Sequence, residues 1–456
     1  NPHVRFDEGE VAPATTPRRG SLLYKSLLSL SAFTMMSLSA MSAPIVSDVA
    51  VRQLWSERKV VITYTLSGED AIVTADILTN GVPVGAVPLR TMQGDVNRLV
   101  SIGTKRTVEW HPPSMWVDPA VASLKVCAKI KAWTEREPPD YMVLSLDGSK
   151  TRNYYVSEDA LPFGIESDEY RTNSLVMRLV RAAGETFRMG APRDELGAND
   201  SSPYNDVMRI TQLGDDYYLG VFEVTQAQYA KVSGGASFAA FSNAVVAATR
   251  PIDSVRWADN LLDSKWPNAD EAIAYQSSSQ KFFGRLRNIT GLNHRLALPT
   301  EAQWEYACRA GSTAALYDGS AMSTNELGVC SALDRLGRYA RNGGLVGGMD
   351  NPDFATCDTD AGTARVGSYA PNAWGFYDML GNVAELCMDM FNFYESGILL
   401  DPVGPAKDVY DHTNYRALRG GSWKSPATSC RCASRTLSQM WVKDNGTGFR
   451  VCYTIR

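Results

Sequence analysis

Short runs in which apolar and polar residues alternate dominate the N-terminal part of this sequence. The longest run, Leu124–Trp133, alternates over ten residues, and shorter runs occupy Val61–Leu66 and Ala71–Leu78. A period of two is typical of a β-strand with one buried face, and the Gly, Asn and Pro residues between the runs favour turns. We therefore predict an antiparallel β-sandwich of the immunoglobulin or fibronectin type over residues 44–150, serving as a spacer or adhesion module rather than a catalytic one.

The chain is 456 residues long, which exceeds what one compact core usually accommodates. Its C-terminal part, residues 175–456, has few helical patterns and many turn residues, which predicts long loops on a small α+β scaffold. Two helix starts are marked by capping boxes, at Thr225–Gln228 and at Thr300–Gln303. Ser254 precedes a further short helical pattern and is predicted to cap it. Residues 151–174 are polar, and we predict that they form a linker or an edge strand.

Charge and metal-ligand patterns exclude several classes of function. The formal net charge is −5 and no basic cluster is evident, so we expect no nucleic-acid partner. The four histidines form neither an HxH nor an HExxH arrangement, which argues against a histidine-built zinc or iron site. The eight cysteines include no CxxC pair, so a zinc-ribbon or thioredoxin-like site is not predicted either.

Residues 1–43 carry the pattern of an export signal. Lys25 precedes a short, serine-rich apolar run over residues 26–38, and small residues end the segment at Ala43. A basic flank, an apolar stretch and small residues in that order are typical of a secretory signal, with cleavage predicted near Ala43. We therefore expect a secreted, periplasmic or cell-surface protein whose mature chain has no membrane span. The alternative is that the run forms a buried helix.

Recognisable motifs follow one another through the C-terminal part. They are Phe187–Gly190, Tyr218–Tyr229, Pro251–Trp257, Arg295–Gly311, Val366–Glu385, Arg419–Trp423 and Gly448–Val451. In this order they resemble the formylglycine-generating enzyme (sulfatase-modifying factor) family. The resemblance implies a C-type-lectin-like, loop-rich fold for residues 175–456. That fold also serves binding and structural proteins, so the resemblance implies less about function than about fold.

The family oxidises a cysteine in a client sulfatase to formylglycine, and the resemblance implies a copper site for this chemistry. In active relatives two cysteines after the Arg-Gly-Gly-Ser motif bind Cu(I), because soft thiolates suit that ion. The motif serine here is Ser422, the first cysteine position holds Ser425, and the second holds Cys430. With one thiolate missing, we predict a non-catalytic binding or structural module. The alternative is an active copper-dependent oxidase that uses Cys430 and Ser422 and acts on a sulfatase.

A second alignment changes the interpretation of Cys430. Anchored on Arg431–Arg435, it gives Cys430 the position of a buried apolar residue found in non-catalytic relatives. Cysteine packs well as a small hydrophobic residue. Two interpretations of Cys430 therefore stay open, a copper ligand and a core residue.

The resemblance also implies a calcium site. In the family, Ca²⁺ is held by two side-chain oxygens and two backbone carbonyls, and hard cations prefer such oxygen ligands. The corresponding positions are Asp378, Gly381, Val383 and Glu385. Glycine at 381 would permit the tight turn that aims its carbonyl. The alternative is that Asp378 and Glu385 are a solvated pair near the start of a helix.

A disulfide is a further implication of the resemblance. Cys308 and Cys432 match positions that are bridged in oxidised relatives, and export would make the bond chemically possible. Cys330 and Cys357 lie in one long loop and form a second candidate pair.

The stretch between Trp423 and Gly448 is irregular, although the motifs on either side match the family closely. It resembles the retroelement-diversified relatives, in which changeable side chains sit on a fixed frame near the C-terminus. We predict that it presents a contact surface for a protein or carbohydrate ligand. The predicted contact residues are Lys424, Ser425, Thr428, Met440 and Trp441. For Trp441, burial in the core is the alternative, because tryptophan is highly buried on average.

Overall fold

The fold is known from a computed structural model. It describes residues 43–112, 125–198, 206–235, 238–241, 246–262, 279–326, 328–343, 361–391, 398–403 and 415–455. The basic flank and the apolar run of the predicted export signal lie outside these ranges, and so does Cys357. Among the helices within these ranges, none has the length and apolar character needed to cross a bilayer.

Two antiparallel sheets form the N-terminal part, which confirms the predicted β-sandwich. Their strands are β1 (Ile45–Leu54), β2 (Lys59–Ser67), β3 (Ala71–Thr79), β4 (Val82–Pro83), β5 (Gln93–Gly94), β6 (Arg98–Val100), β7 (Gly103–Trp110) and β8 (Val126–Trp133). The first sheet has the order β1-β2-β7-β5. In the second sheet, β3 pairs with β4, β6 and β8.

The alternation of the sequence sets which face of each sandwich strand is buried. Val60, Ile62 and Tyr64 of β2 point into the space between the sheets, where they meet Val108 and Trp110 of β7. The longest alternating run becomes β8, which pairs with β3 over eight residues. Period-two patterning therefore specified both the strands and their inward faces.

The C-terminal part contains the remaining strands. They are β9 (Tyr141–Ser145), β10 (Arg152–Tyr155), β11 (Ser174–Val180), β12 (Thr186–Met189), β13 (Arg209–Gln212), β14 (Tyr217–Gly220), β15 (Leu296–Ala297), β16 (Ala384–Met390), β17 (Ile398–Leu400), β18 (Tyr415–Arg419), β19 (Arg435–Gln439), β20 (Thr447–Gly448) and β21 (Cys452–Thr454). They form sheets of the orders β10-β9-β11-β14-β21-β15, β12-β13-β17 and β19-β18-β16-β20.

Residues 141–155 belong to the largest of these sheets. Strand β9 pairs with β11, and β10 forms the edge beside β9. The predicted boundary at residue 150 falls inside this hairpin, between the sandwich and the predicted linker or edge strand. Met142 and Leu144 of β9 are fully buried in the C-terminal core, which explains why the hairpin lies there instead.

The described helices are short, which agrees with an α+β, loop-rich domain. They are α1 (Glu169–Thr172), α2 (Gln226–Ser233), α3 (Phe282–Thr290) and α4 (Glu301–Arg309). Both predicted capping boxes are present at the starts of α2 and α4. In each box, the Thr hydroxyl accepts a hydrogen bond from the Gln amide at 3.2 Å.

The sandwich and the C-terminal sheets are joined by backbone contacts within one compact unit, residues 42–456. The amide of Tyr154 donates to the carbonyl of Asn97 at 2.7 Å. The guanidinium of Arg90 donates to the carbonyl of Asp159 at 2.8 Å. Strand β10 and the turn that follows it therefore connect the C-terminal sheets to the sandwich.

Candidate functional site

An open cleft of about 490 Å³ lies over the sheet of β16, β18 and β19. Its floor is formed by Ala384, Leu418 and Leu437 together with neighbouring strand residues. The segment 422–425 forms one wall, and the segment 442–447 forms the other. Most residues that line the cleft belong to the irregular stretch between Trp423 and Gly448, for which a contact surface was predicted.

The two walls of the cleft are tied together by one lysine. The ammonium of Lys424 donates to Asp444 Oδ2 at 2.7 Å and to Asn445 Oδ1 at 2.8 Å. Asp444 in turn accepts the amide of Gly446 at 2.8 Å. The indole of Trp423 donates to the carbonyl of Asn445 at 3.1 Å, which fixes the second wall from below. The cleft is therefore a shaped surface and not a loose loop.

Ser422 and Ser425 form a tight polar pair on the first wall. Their hydroxyl oxygens lie 3.0 Å apart. The amide of Ser422 donates to Ser425 Oγ at 3.0 Å, and the amide of Ser425 donates to the carbonyl of Ser422 at 2.9 Å. The carbonyl of Ser425 accepts the amide of Ala340 at 2.9 Å. The position predicted for the first copper ligand therefore presents a hydroxyl that is already held by its own turn.

Cys430 lies directly beneath this turn, in the core. Its side chain is fully buried among apolar residues. Its sulfur packs so closely under Gly421 that a methyl group there would lie 2.7 Å from it. Burial raises the pKa of Cys430 to about 12, although the charge of Arg431 and, to a smaller extent, the nearby backbone amide of Ser422 oppose the shift. These apolar surroundings favour the interpretation of Cys430 as a core residue, because they disfavour the thiolate that a copper ligand requires.

The other predicted contact residues are divided between core and surface. Met440 is buried in the core, so its predicted contact role is wrong. The cause is that its carbonyl accepts the amide of Ala258 at 3.1 Å, which holds this part of the chain inward. Trp441 is 53% exposed, which rules out the alternative that it is a core residue. Thr428 is half-buried and lies outside the cleft lining, where its carbonyl accepts Arg431 Nε at 2.7 Å.

A buried cluster of carboxylates lies in the core of the same domain. Glu385 pairs with Arg450 through two contacts of 2.6 Å, and it also accepts the indole N–H of Trp304 at 2.8 Å. Asp378 is buried beside this pair and accepts the amide of Gly367 at 2.6 Å through Oδ2. The alternative of a solvated pair at a helix start is therefore wrong, because both carboxylates are buried.

Glu223 is a member of this cluster that the sequence analysis did not identify. It accepts Asn382 Nδ2 at 2.6 Å and the amide of Val383 at 3.0 Å. Burial raises its pKa well above the usual value, and the charges of Asp378 and Glu385 raise it further. The signal was present in the motif Phe222-Glu-Val-Thr, where a charged residue stands between apolar ones.

The cluster fits a divalent cation in donor type and in charge. One oxygen of Asp378, Oδ1, is buried without a hydrogen-bond partner. Burial raises the pKa of Asp378 to about 6, and Arg450 is a cation shared by all three carboxylates. Gly381 has φ +90, and a methyl group there would lie 2.1 Å from the carbonyl of Arg338. Only glycine therefore fits the turn that carries the predicted backbone ligands.

Side chains alone do not complete a metal site in the described part of the chain. No three His, Cys, Asp or Glu side chains there converge closely enough to hold an ion. Calcium at this position would therefore need backbone carbonyls as well, which is the ligand set that the family resemblance implies. The main structural support for such a site is the buried Oδ1 of Asp378, which has no hydrogen-bond partner and could bind the ion.

Cys308 and Cys432 lie side by side as free, buried thiols. Burial raises the pKa of Cys308 well above its usual value, and its hydrogen bond with Cys432 raises it further. The two cysteines come from α4 and from the segment that precedes β19. Their disulfide stays a prediction, and the structure brings the two partners together.

Comparison with known proteins identifies the C-terminal part. The profile of the Sulfatase-modifying factor enzyme 1-like domain matches residues 167–455. The serine/threonine-protein kinase pkn1 of Chlamydia caviae is 33% identical over 298 residues, which cover 62% of this chain and 39% of that protein. The formylglycine-generating enzyme of Streptomyces coelicolor is 32% identical over 160 residues, or 34% of this chain and 45% of that enzyme.

Among solved structures, Treponema denticola variable protein 1 matches with a TM-score of 0.44 at 20% identity, over 61% of this chain and 95% of that one. The chain spans less than half the length of the Chlamydia caviae kinase pkn1 and of the Streptomyces coelicolor enzyme, so their activities are not transferred with the match. The family match itself covers well over half of the chain. Through residues 167–455, the chain belongs to the family of the Sulfatase-modifying factor enzyme 1-like domain.

Proposed function

We propose that this protein is a ligand-binding member of the family, without cysteine oxidase activity, and that the cleft between segments 422–425 and 442–447 is its binding site. The observation that carries the proposal is the pair at positions 425 and 430. A hydroxyl stands at the first position, and a buried thiol with a pKa of about 12 stands at the second.

Copper chemistry in this family depends on two thiolates held close together. Cu(I) binds soft sulfur ligands, and a serine hydroxyl does not replace one. Cys430 would have to ionise within an apolar core, which burial opposes. The Ser422 amide is already bonded to Ser425 Oγ, and the Ser425 amide to the Ser422 carbonyl, so the site is satisfied as a hydrogen-bonded turn.

Binding is supported by the form of the cleft. Its volume of about 490 Å³ falls within the range of about 300–1,000 Å³ that is typical of ligand pockets. The walls are fixed by the Lys424–Asp444 pair and by the Trp423 hydrogen bond. An exposed tryptophan, Trp441, directly precedes the lining residue Val442, and tryptophan is enriched at binding hot spots.

Calcium is proposed as a structural ion of the domain. Asp378 and Glu385 would supply side-chain oxygens, and Gly381 and Val383 would supply carbonyls. Glu223 lies against the same turn through the Val383 amide. When bound, the ion would balance the negative charge that Arg450 does not neutralise and would hold the turn at residues 378–385 in place.

Export is also proposed, on the signal pattern before Ala43. An oxidising compartment would allow Cys308 and Cys432 to form their disulfide. The exported protein would meet ligands outside the cytoplasm, which suits a domain that presents a cleft and an exposed tryptophan.

A gain-of-function variant tests the non-catalytic proposal. Because Ser425 Oγ is bonded to the Ser422 amide and the Cys430 sulfur packs under the adjacent Gly421, Ser425→Cys would bring two sulfurs into the same turn. We expect the full chain to compete poorly with a chromogenic chelator for Cu(I), and Ser425→Cys to compete at least tenfold better. Ser438→Cys, in the same cleft but away from Cys430, is the matched control and should gain nothing. Tight Cu(I) binding by the unaltered chain would contradict the proposal and favour the copper-dependent oxidase.

A further inference from the structure

The lining of the cleft has a distinct chemistry, which identifies a class of ligand. We propose that the cleft binds a neutral oligosaccharide, with the hydroxyl-rich lining as its polar contact and Trp441 as its stacking platform. The inference rests on the proposed binding function and deepens it by naming the ligand class.

The charges of the cleft are neutralised within it. Lys424 and Asp444 are the charged residues among the described lining, and they pair with each other at 2.7 Å. An anionic ligand would have to separate this pair before it gained a partner, and the same holds for a cationic ligand. The pair is partly exposed and is worth little by itself, but it leaves the described lining without a net charge, so the cleft offers a charged ligand no electrostatic attraction.

The remaining polar groups suit hydroxyl groups on a ligand. Side chains that both donate and accept hydrogen bonds line the cleft, namely Ser422, Ser425, Thr436, Ser438, Thr447 and Gln439. A hydroxyl donates one hydrogen bond and accepts two, and an amide side chain does both as well. A sugar carries the same kind of group at most of its ring positions, so donors and acceptors can be matched without any net charge.

Apolar surface is also present, as the faces of sugar rings require. Trp441 lies on the turn between Gln439 and Val442, and both of these residues line the cleft. The turn is closed by the Val442 amide, which donates to the Gln439 carbonyl at 3.1 Å. Tyr415 lies on the floor and accepts Gln439 Nε2 at 2.9 Å. The exposed indole of Trp441, next to the lining residue Val442 in the chain, is large, rigid and amphipathic, and would provide contact area at a small entropic cost.

A peptide fits these features less well. Strand β19 is the edge of its sheet, so an extended peptide could in principle pair with it. The strand ends at Gln439, whose carbonyl already accepts the Val442 amide, and the carbonyl of Met440 accepts the Ala258 amide. Only a short segment from Thr436 to Ser438 is left for pairing. A ligand recognised by side-chain hydroxyls therefore fits better than one recognised by a long backbone ladder.

The test uses the full chain and titration calorimetry. The neutral probes are cellotetraose, maltotetraose and chitotetraose, the charged probe is tetragalacturonate, and the peptide probe carries a Cys-x-Pro-x-Arg core. We expect binding of at least one neutral tetrasaccharide. Trp441→Ala should weaken it at least tenfold, which corresponds to about 1.4 kcal/mol. Thr436→Val removes one hydroxyl while keeping a β-branched shape, and it should weaken binding severalfold. Phe163→Ala, at an exposed aromatic residue outside the cleft, should leave binding unchanged.

Each other outcome rejects a separate part of the account. Binding of tetragalacturonate or of the peptide alone would overturn the ligand class and leave the binding function standing. Neutral binding that survives both Trp441→Ala and Thr436→Val would overturn the assignment to this cleft. No binding of any neutral probe at millimolar concentration would overturn the inference. Oxidation of the peptide cysteine would instead overturn the proposed function itself.

Discussion

Calcium should stabilise the C-terminal domain, because its core contains buried carboxylates that a cation would neutralise. Glu223, Asp378 and Glu385 are all buried. Arg450, the cation beside them, donates two hydrogen bonds to Glu385 alone among the three. Without a further cation, the raised pKa values of Glu223 and Asp378 mean that burial favours their protonated forms. A divalent ion would supply the missing charge and would give Asp378 Oδ1 the partner that it lacks.

The size of the effect follows from mass action. An ion that binds the folded chain alone stabilises it by about 2.7 kcal/mol at a hundredfold excess over its dissociation constant. A domain of 150–250 residues shifts its melting temperature by about 2–4 °C per kcal/mol. The matched region, residues 167–455, is somewhat larger, which lowers the shift per kcal/mol, so we expect a rise of about 5 °C.

The assay is thermal unfolding of the full chain with calcium and with a chelator. Asp378→Asn should abolish most of the calcium-dependent shift, because it removes the charge of the unpartnered carboxylate. Asp389→Asn is a matched control, since Asp389 is also buried, has a pKa raised to about 7, and accepts one backbone amide at 2.8 Å. That variant should be less stable yet keep the calcium shift. An unaltered chain that melts at the same temperature in both conditions would refute the reasoning, and so would a full shift in Asp378→Asn.

Three further predictions follow from the same structure. Peptide mapping of the exported protein without reduction should find Cys308 joined to Cys432, a bond worth about 3–5 kcal/mol, and an alkylatable Cys308 would contradict it. Arg450→Met should cost about 3–5 kcal/mol in urea unfolding without calcium, because Glu385 would keep its buried charge and lose its partner; a cost below about 1 kcal/mol would refute that pairing. N-terminal sequencing of secreted protein should begin near Pro44, and a chain that still carried residues before 26 would count against the export signal.

Local patterns in the sequence predicted what depends on neighbouring residues. The sandwich followed from period-two alternation, because a strand buries every second side chain whatever it pairs with. The capping boxes at Thr225 and Thr300 were equally local, since each joins residues three positions apart. At Ser254 the same logic failed. The residue has φ +61 and its hydroxyl donates to Asp253, so the helical turn at Trp257–Leu261 starts without it.

The site depended on contacts that are distant in sequence, and these were harder to predict. Glu223 meets Val383 across 160 residues, so no spacing rule links the two. Met440 and Trp441 are adjacent and both apolar, yet one is buried and the other exposed. That division was decided by the bond from Ala258 to the Met440 carbonyl. The serine at position 425 could be interpreted from the sequence because it closely follows the fixed motif Arg419–Trp423. The burial of Cys430 could be seen only in the folded structure.

The most direct measurement of the central claim is mass spectrometry of a client peptide. The full chain is supplied with Cu(I), oxygen and a thiol reductant, and incubated with a peptide that has a Cys-x-Pro-x-Arg core. We expect the peptide cysteine to keep its sulfur, because Ser425 offers no thiolate and Cys430 is buried with a pKa of about 12. Conversion of that cysteine to formylglycine by the unaltered chain would contradict the account.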